Sequence, residues 1–293
     1  MKQQEIKIAL PKGRLLAETA ALLEQAGWGL NEYREGTRSY RMKSQKPQRL
    51  FVKVFQEKDI PIQVAVGNYD LGICGLDWVE ELLAKYPSSA LVKLRDMGYG
   101  KGALYLVASK ATPSPDIENL QAKRDIIRLA SEYPNLAESV ALDLRLRRFS
   151  VFPLWGGAGV YPPEDAELAL LTDKNGETTF NNGQVVVRKV LDSSAYLIAN
   201  RNSWESKDLS PALASLEDTL SHFQCHPVPA NSAGDKAKAG KRHPARQEAS
   251  GDSIRLALPD GHQQHPAADL LNKADIQFDD YPSTAENRRP NCS

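Results

Sequence analysis

Three short stretches carry residue types that could hold a phosphorylated ligand. In "ALPKGRLL" an apolar run passes through Pro11, Lys12, Gly13 and Arg14 into a helical pattern. Glycine allows a tight turn or a close backbone approach, the N–H groups opening a helix favour an anion, and Lys12 and Arg14 add positive charge. In "YDLGICGLDWVEELL" Gly72 and Gly75 bracket a strand end of the kind where open α/β sheets bind ligands. Asp77 follows, either at the ligand or as a helix cap, and upstream Asp59 and Pro61 have the pattern of a helix start. In "LALLTDKNGETTFNNGQ" a buried strand ends in Asp173, Lys174, Asn175, Gly176, Glu177, Thr178 and Thr179. Such residues can form a backbone nest for phosphate, and the same "KNG" also suits a plain β-turn. No GxxxxGK[ST] loop occurs, so this is not a nucleotide P-loop.

The elements that must position these residues follow from periodicity. "IKIAL", "RLFVKVF", "YDLGIC", "ALVKL", "ALYLVAS", "DIIRLAS", "FSVFPL", "LALLT", "QVVVRKV" and "AYLIA" read as strands. "LLAETAALLEQA", "DWVEELLAKY", "NLAESVALDLRL" and "LSPALASLEDTLSHF" read as helices. The alternation predicts an α/β fold with mainly parallel sheets and some antiparallel pairing near 185–199.

Composition removes several function classes. Lys+Arg and Asp+Glu are 37 each in 293 residues, so no overall field attracts nucleic acid or an anionic membrane. The basic run "KAKAGKRHPAR" lacks aromatic interleaving and reads as solvated linker. Cys74, Cys225 and Cys292 have neither disulfide nor metal-ligand spacing, which suits a reducing cytoplasm. All five histidines follow residue 220, which disfavours a histidine metal site or base. No signal peptide or membrane helix is expected.

Seven stretches in order, "IALPKGRLL", "RSYR", "DIP…G…DLGICGLD", "DMGYGKGALYLVA", "RLASEYPNL", "GETTFNNG" and "VLDSSAYLIANRNSW", resemble the ATP phosphoribosyltransferase family across roughly residues 5–225. The resemblance implies a two-lobed fold like a periplasmic binding protein, with the active site in the cleft. Lobe I takes 1–100 plus 190–225, and lobe II takes 101–189. It implies attack by N1 of ATP adenine on C1 of phosphoribosyl pyrophosphate, with Mg²⁺ on the departing pyrophosphate. Such chemistry needs positioning and charge neutralisation, not a covalent nucleophile. Carried over, Asp173 to Thr179 hold the phosphoribosyl pyrophosphate. Lys12, Gly13, Arg14, Arg38, Arg41, Gly75 and Asp77 meet ATP or pyrophosphate. The resemblance also implies a homo-oligomer and, for a short catalytic form, a histidyl-tRNA-synthetase-like regulatory subunit. Departures stand at Gln56 and Glu57 where the family has an Arg-Pro pair, at Gly159 where an acid is expected, and at Glu177 beside a phosphate. They leave open an alternative, a non-catalytic regulatory or ligand-binding paralogue of the same fold.

The end of the chain repeats its start. Shifted by 248 positions, "SIRLALPDGHQQHPAADLLNKAD" follows "EIKIALPKGRLLAETAALLEQAG" without a gap. A linker is expected over 226–252, and a partial, degenerate copy of the N-terminal strand and helix over 253–293. Asp260 and His262 replace Lys12 and Arg14, so this copy should not bind phosphate.

Overall fold

The computed structural model describes residues 5–37, 39–47, 49–88, 90–112, 116–173, 183–222, 256–259, 261–278 and 281–282. The chain divides into two compact units, Met1–Asn231 and Ser232–Ser293.

The first unit holds two sheets. The central strand of the first is β1 (Ile6–Lys12), an apolar run buried at five of seven positions. It lies between β3 (Leu50–Gln56) and β4 (Leu71–Gly75), parallel to both. A strand with sheet on both sides and helices on both faces needs such an apolar run. Outside them lie β2 (Arg41–Ser44), antiparallel to β3, and β11 (Ala195–Asn200), antiparallel to β4, with β5 (Leu91–Asp96) at the far edge. On one face α1 (Leu16–Gln25) and α7 (Ser210–Leu220) bury Leu22, Leu23 and Trp28 against β1. The indole N–H of Trp28 donates to Ser215 Oγ at 2.8 Å. On the other face lie α2 (Ile60–Ala65) and α3 (Leu76–Lys85), packed around Ile60, Val64 and Val79.

The second sheet has the order β10–β6–β9–β7–β8. Here β6 (Gly102–Ser109) is antiparallel to β9 (Leu168–Asp173) and β10 (Gln184–Ser193), while β7 (Ile127–Ser131) is parallel to β9 and β8 (Phe149–Pro153). It is covered by α4 (Ile117–Ala122) and α5 (Pro134–Asp143). This is the expected two-lobed α/β fold. The return to the first sheet comes later than residue 190, because β10 stays paired with β6 until Ser193 meets Gly102. The two crossing segments bond to each other. Met97 N–H donates to Ala195 O, and Ala195 N–H donates to Tyr99 O, both at 2.9 Å.

Among the described residues, all ten expected strands of the first unit are present. Three elements were not expected: β2, α4 and α6 (Arg201–Ser206). Asp59 ends a 3-10 turn and makes no side-chain cap bond, whereas Pro61 does lie in the first turn of α2. No helix among the described residues is long and apolar enough to cross a membrane.

The second unit contains α8 (Gln264–Lys273), where the repeat predicts a helix. The expected strand before it is not formed at residues 256–259, since a strand requires a neighbour to accept its hydrogen bonds. The expected linker over 226–252 lies outside the described residues.

Gly72 sets how closely α2 approaches β4. A Cβ there would lie 2.8 Å from both Ile60 Cγ2 and Val64 Cγ2. Gly72→Ala is expected to lower stability by about 1–3 kcal/mol through overpacking, read as a lower urea midpoint with an unchanged m-value.

Candidate functional site

Parallel strands present their carboxyl ends on one edge of a sheet, where open α/β folds bind ligands. In the first sheet, β1 ends at Lys12 directly beside Gln56 at the end of β3. The chain then turns at Gly13, whose φ of +98° is a left-handed conformation that glycine tolerates, and enters α1. The turn sends Lys12 and Arg14 into different environments.

Arg14 turns inward. Its Nη2 donates to both Asp77 oxygens, at 2.8 and 2.7 Å, and its Nε donates to Glu57 Oε2 at 3.0 Å. Asp77 is fully buried in the first turn of α3, and Gly75 occupies the N-cap position that the sequence had offered to Asp77. Tyr133, just beyond β7 in the second lobe, donates its hydroxyl to Asp77 Oδ2 at 2.9 Å. The Asp77 backbone N–H donates to Ser193 Oγ at 3.1 Å, where the chain returns to the first sheet. Gly75 makes the pair possible. A Cβ there would stand 2.1 Å from Asp77 Oδ1 and 2.2 Å from Arg14 Nη2. This glycine is required for close approach, since its φ of −67° suits any residue.

One guanidinium thus faces two carboxylates. Burial works against the charge on Arg14, but Asp77 and then Glu57 outweigh it and hold its pKa above the ordinary value. Burial pushes the Glu57 carboxyl up, Arg14 pulls it down, Asp77 adds to the rise, and the net direction is upward. The Tyr133 phenol is raised by burial and then by the Asp77 charge, so it remains a hydrogen-bond donor. Burial also raises the Cys74 thiol, which removes it as a nucleophile.

A second interlobe contact lies one turn along α3. Glu81 accepts hydrogen bonds from the N–H groups of Asn135 and Leu136, at 2.9 and 2.8 Å, and from Asn135 Nδ2 at 2.6 Å. A carboxylate of lobe I therefore caps helix α5 of lobe II, as the positive end of a helix favours. Trp78 stacks on Tyr133 between these contacts, with ring centres 4.2 Å apart. A cavity of about 330 Å³ lies beside Glu81 and Asn135, and neither Lys12, Arg14 nor Asp77 lines it.

Lys12 points outward. Its Nζ donates to the exposed Tyr40 hydroxyl at 3.0 Å and lies 5.1 Å from the centre of that ring. The hydrogen bond to Lys12, then its charge, lowers the Tyr40 pKa. Arg41 opens β2 opposite Lys53. In lobe II, Asp173 ends β9 opposite Ala103. Lys174, Asn175, Gly176, Glu177, Thr178, Thr179 and Arg38 lie outside the described residues.

The structure therefore gathers Arg14, Gly75 and Asp77 into one cluster, with Lys12 on the outer side of the same turn, while Arg41 is exposed on β2 opposite Lys53 and no contact among the described residues joins it to the cluster. Sequence reasoning missed Tyr133, Ser193 and Glu81, and it treated Glu57 only as a replaced cation. Their polar partners are 54 to 116 residues away in sequence, so no local pattern reports them. Gly159, flagged for the missing acid, accepts a hydrogen bond through its carbonyl from Gln184 Nε2.

Removing the guanidinium would leave two buried carboxylates unpaired. Arg14→Met is expected to cost about 3–5 kcal/mol at neutral pH. In that variant the Glu57 carboxyl, already pushed up by burial, loses the guanidinium charge that pulls it down. Folding then favours the protonated form, so stability falls as pH rises past the ordinary 4.5 and the deficit against wild type shrinks below it. Thermal or urea unfolding at pH 4 and pH 7.5 measures both effects.

Comparison with known proteins adds the family. The family model described as "HisG: ATP phosphoribosyltransferase" matches residues 56–222. An ATP phosphoribosyltransferase of Aquifex aeolicus is 32% identical over 204 residues, covering 69% of this chain and 88% of that protein. One of Methanothermobacter thermautotrophicus is 33% identical over 208 residues, covering 69% and 67%. One of Prosthecochloris aestuarii is 28% identical over 204 residues, and the chain spans 66% of its length. Among solved structures, the "ATP phosphoribosyl transferase (HisG:HisZ) complex from Thermotoga maritima" superposes with a TM-score of 0.61 at 21% identity, covering 74% of this chain and all of that one.

Proposed function

The chain belongs to the ATP phosphoribosyltransferase family, and from that premise we propose that it transfers the phosphoribosyl group of phosphoribosyl pyrophosphate to N1 of ATP adenine, the first step of histidine biosynthesis. The observation that carries this reading is the meeting of two sheets at their carboxyl ends. Lys12 and Arg41 lie on one sheet, Asp173 ends a strand of the other, and Asp77–Tyr133 closes the gap between them.

In the reaction the N1 lone pair forms a bond to C1 of the ribose as the C1–oxygen bond breaks, and the electrons leave with pyrophosphate. The protein has two tasks: to hold the two substrates in line and to receive the charge that develops on the leaving group. Lys12 is the cation presented toward an incoming phosphate, steadied by Tyr40. The Nε and Nη2 of Arg14 are taken by carboxylates, and only its Nη1 has no partner among the described residues. Arg14 therefore chiefly positions the turn, with Lys12 and Arg41 binding anions. Glu57 explains the missing Arg-Pro pair in part, because in its place stands an acid that anchors Arg14. The 173–179 segment would receive the ribose phosphate.

Mg²⁺ would be held mostly by substrate oxygens and water, with the Asp173 carboxylate at the end of β9 as a candidate protein ligand. When bound it would screen charge on pyrophosphate. A homo-oligomer in the cytoplasm, working with a HisZ-like subunit as in the Thermotoga complex, completes the proposal.

The full chain, with and without such a subunit, is expected to release pyrophosphate only when ATP, phosphoribosyl pyrophosphate and Mg²⁺ are all present. Lys12→Met is expected to lower kcat/KM roughly 10- to 100-fold, the loss of one charged contact in the transition state. Absence of turnover together with absence of ATP binding by calorimetry would refute the assignment.

A further inference from the structure

Trp155 is the most exposed of the large apolar residues described, at 83%. A single exposed aromatic is ordinary on a protein surface, so its place in the fold decides whether it matters. It does not sit in a loose loop. One residue before it, Leu154 N–H donates to Ser131 O at 2.9 Å, at the end of β7. After it the chain turns through Gly156 and Gly157, whose φ values of +121° and +68° suit glycine. The chain then runs back over the second sheet. Ala158 is buried with Ala130 and Ala169, and Gly159 O accepts a hydrogen bond from Gln184 Nε2. The turn is tied down on both sides, and the indole between the ties stands in solvent.

Topology places that turn at the cleft. Strand β8 is parallel to β7, and β7 to β9. Trp155, two residues past the end of β8, therefore stands on the same carboxyl edge as Tyr133 and Asp173. The chain crosses between the lobes from β5 to β6 and from β10 to β11. Outward from those crossings the strand order is β4, β1, β3 in the first sheet and β9, β7, β8 in the second. Tyr133, after β7, meets Asp77, after β4. The next strand outward ends at Lys12 on one side, and leads to Trp155 on the other. Other exposed aromatics are placed differently. Tyr86 follows α3, and Trp204 lies on α6 after β11, both toward the opposite edge of the first sheet. Tyr40 already holds Lys12.

The two substrates of the proposed reaction differ in one respect that an indole can read. Phosphoribosyl pyrophosphate offers charges and hydroxyl groups, which call for cations and hydrogen-bond donors. ATP brings a planar aromatic ring whose N1 must be aimed at C1 of the ribose. Stacking fixes the plane of such a ring and leaves every atom on its edge free, N1 included. Resting on the transferase reading, we propose that Trp155 is the platform on which the adenine ring of ATP stacks, supplied by lobe II across the cleft from Lys12. It binds the base and takes no part in proton or charge transfer.

Calorimetry on the full chain tests this apart from turnover. Trp155→Ala is expected to raise the Kd of ATP about tenfold, and Trp155→Phe less than about threefold. Phosphoribosyl pyrophosphate should bind as in wild type, as should inorganic tripolyphosphate, which has the charge of ATP without its ring. The part of the tryptophan fluorescence that ATP quenches should be missing from both variants. Because the indole is exposed, their unfolding midpoints should stay within about 2 °C of wild type. A larger fall in both would mark Trp155 as structural and overturn the proposal. Unchanged ATP affinity in Trp155→Ala, beside an active wild type, would overturn the stacking role and leave the transferase reading intact. Weaker association with a HisZ-like subunit at unchanged ATP affinity would assign the indole to a protein contact instead. A wild type that neither binds ATP nor releases pyrophosphate would sink the transferase reading, and this inference with it.

Discussion

The buried pair between Arg14 and Asp77 is the constraint on which the cleft depends. It joins the turn after β1 to the turn after β4 through bonds of 2.7 and 2.8 Å. Removing both charges from water is costly, and mutual attraction offsets that cost only with close geometry and further hydrogen bonds. Each requirement is met by a named residue. Gly75 leaves room for the guanidinium, Glu57 takes its Nε, Tyr133 donates to Asp77, and Ser193 holds the backbone of Asp77. Such a pair contributes less as net stability than as registration, since few other arrangements of these loops satisfy so many buried groups.

That registration reaches the second lobe. Tyr133 follows β7, and Ser193 ends β10, so Asp77 of lobe I meets lobe II at two points, Tyr133 through its carboxylate and Ser193 through its backbone N–H. Glu81 adds a third by capping α5. The crossing segments bond to each other at Met97, Tyr99 and Ala195. The relation of the two carboxyl edges is therefore held by short polar contacts together with Trp78, which stacks on Tyr133 and packs against the core of lobe II. Charge is divided in a matching way. The guanidinium turned inward is offset by two acids, whereas Lys12 and Arg41 remain exposed to solvent and to any anion that enters.

The repeat shows which parts of a strand–loop–helix unit are encoded locally. Helix bounds, the left-handed residue after the helix and the tyrosine tie (Tyr33 to Pro11 O, Tyr281 to Pro259 O) recur without any sheet among the described residues. The strand does not recur in residues 256–259, because its hydrogen bonds must come from neighbours.

Periodicity in the sequence determined the alternation of strands and helices, and with it the α/β class. Continuous apolar runs such as Ile8–Leu10 and Leu168–Leu171 cannot remain exposed, so their burial followed from composition alone. The ordered motifs likewise identified the family, and the residues after β1, β4 and β9 marked strand ends of the kind where open α/β sheets bind ligands. Other features were illegible for a physical reason. The β2 segment "RMKS" is polar on alternate residues and becomes a strand only because β3 offers it an edge. Glu57 looked like a lost cation until Arg14, 43 residues away, was placed against it. Asp77 offered a local role as a helix cap, and the tertiary structure gave it two long-range partners instead, 63 and 56 residues distant. Local sequence sets which backbone conformations are cheap, but a buried charge takes its role from the groups that folding brings within hydrogen-bonding distance, and only the tertiary structure decides those.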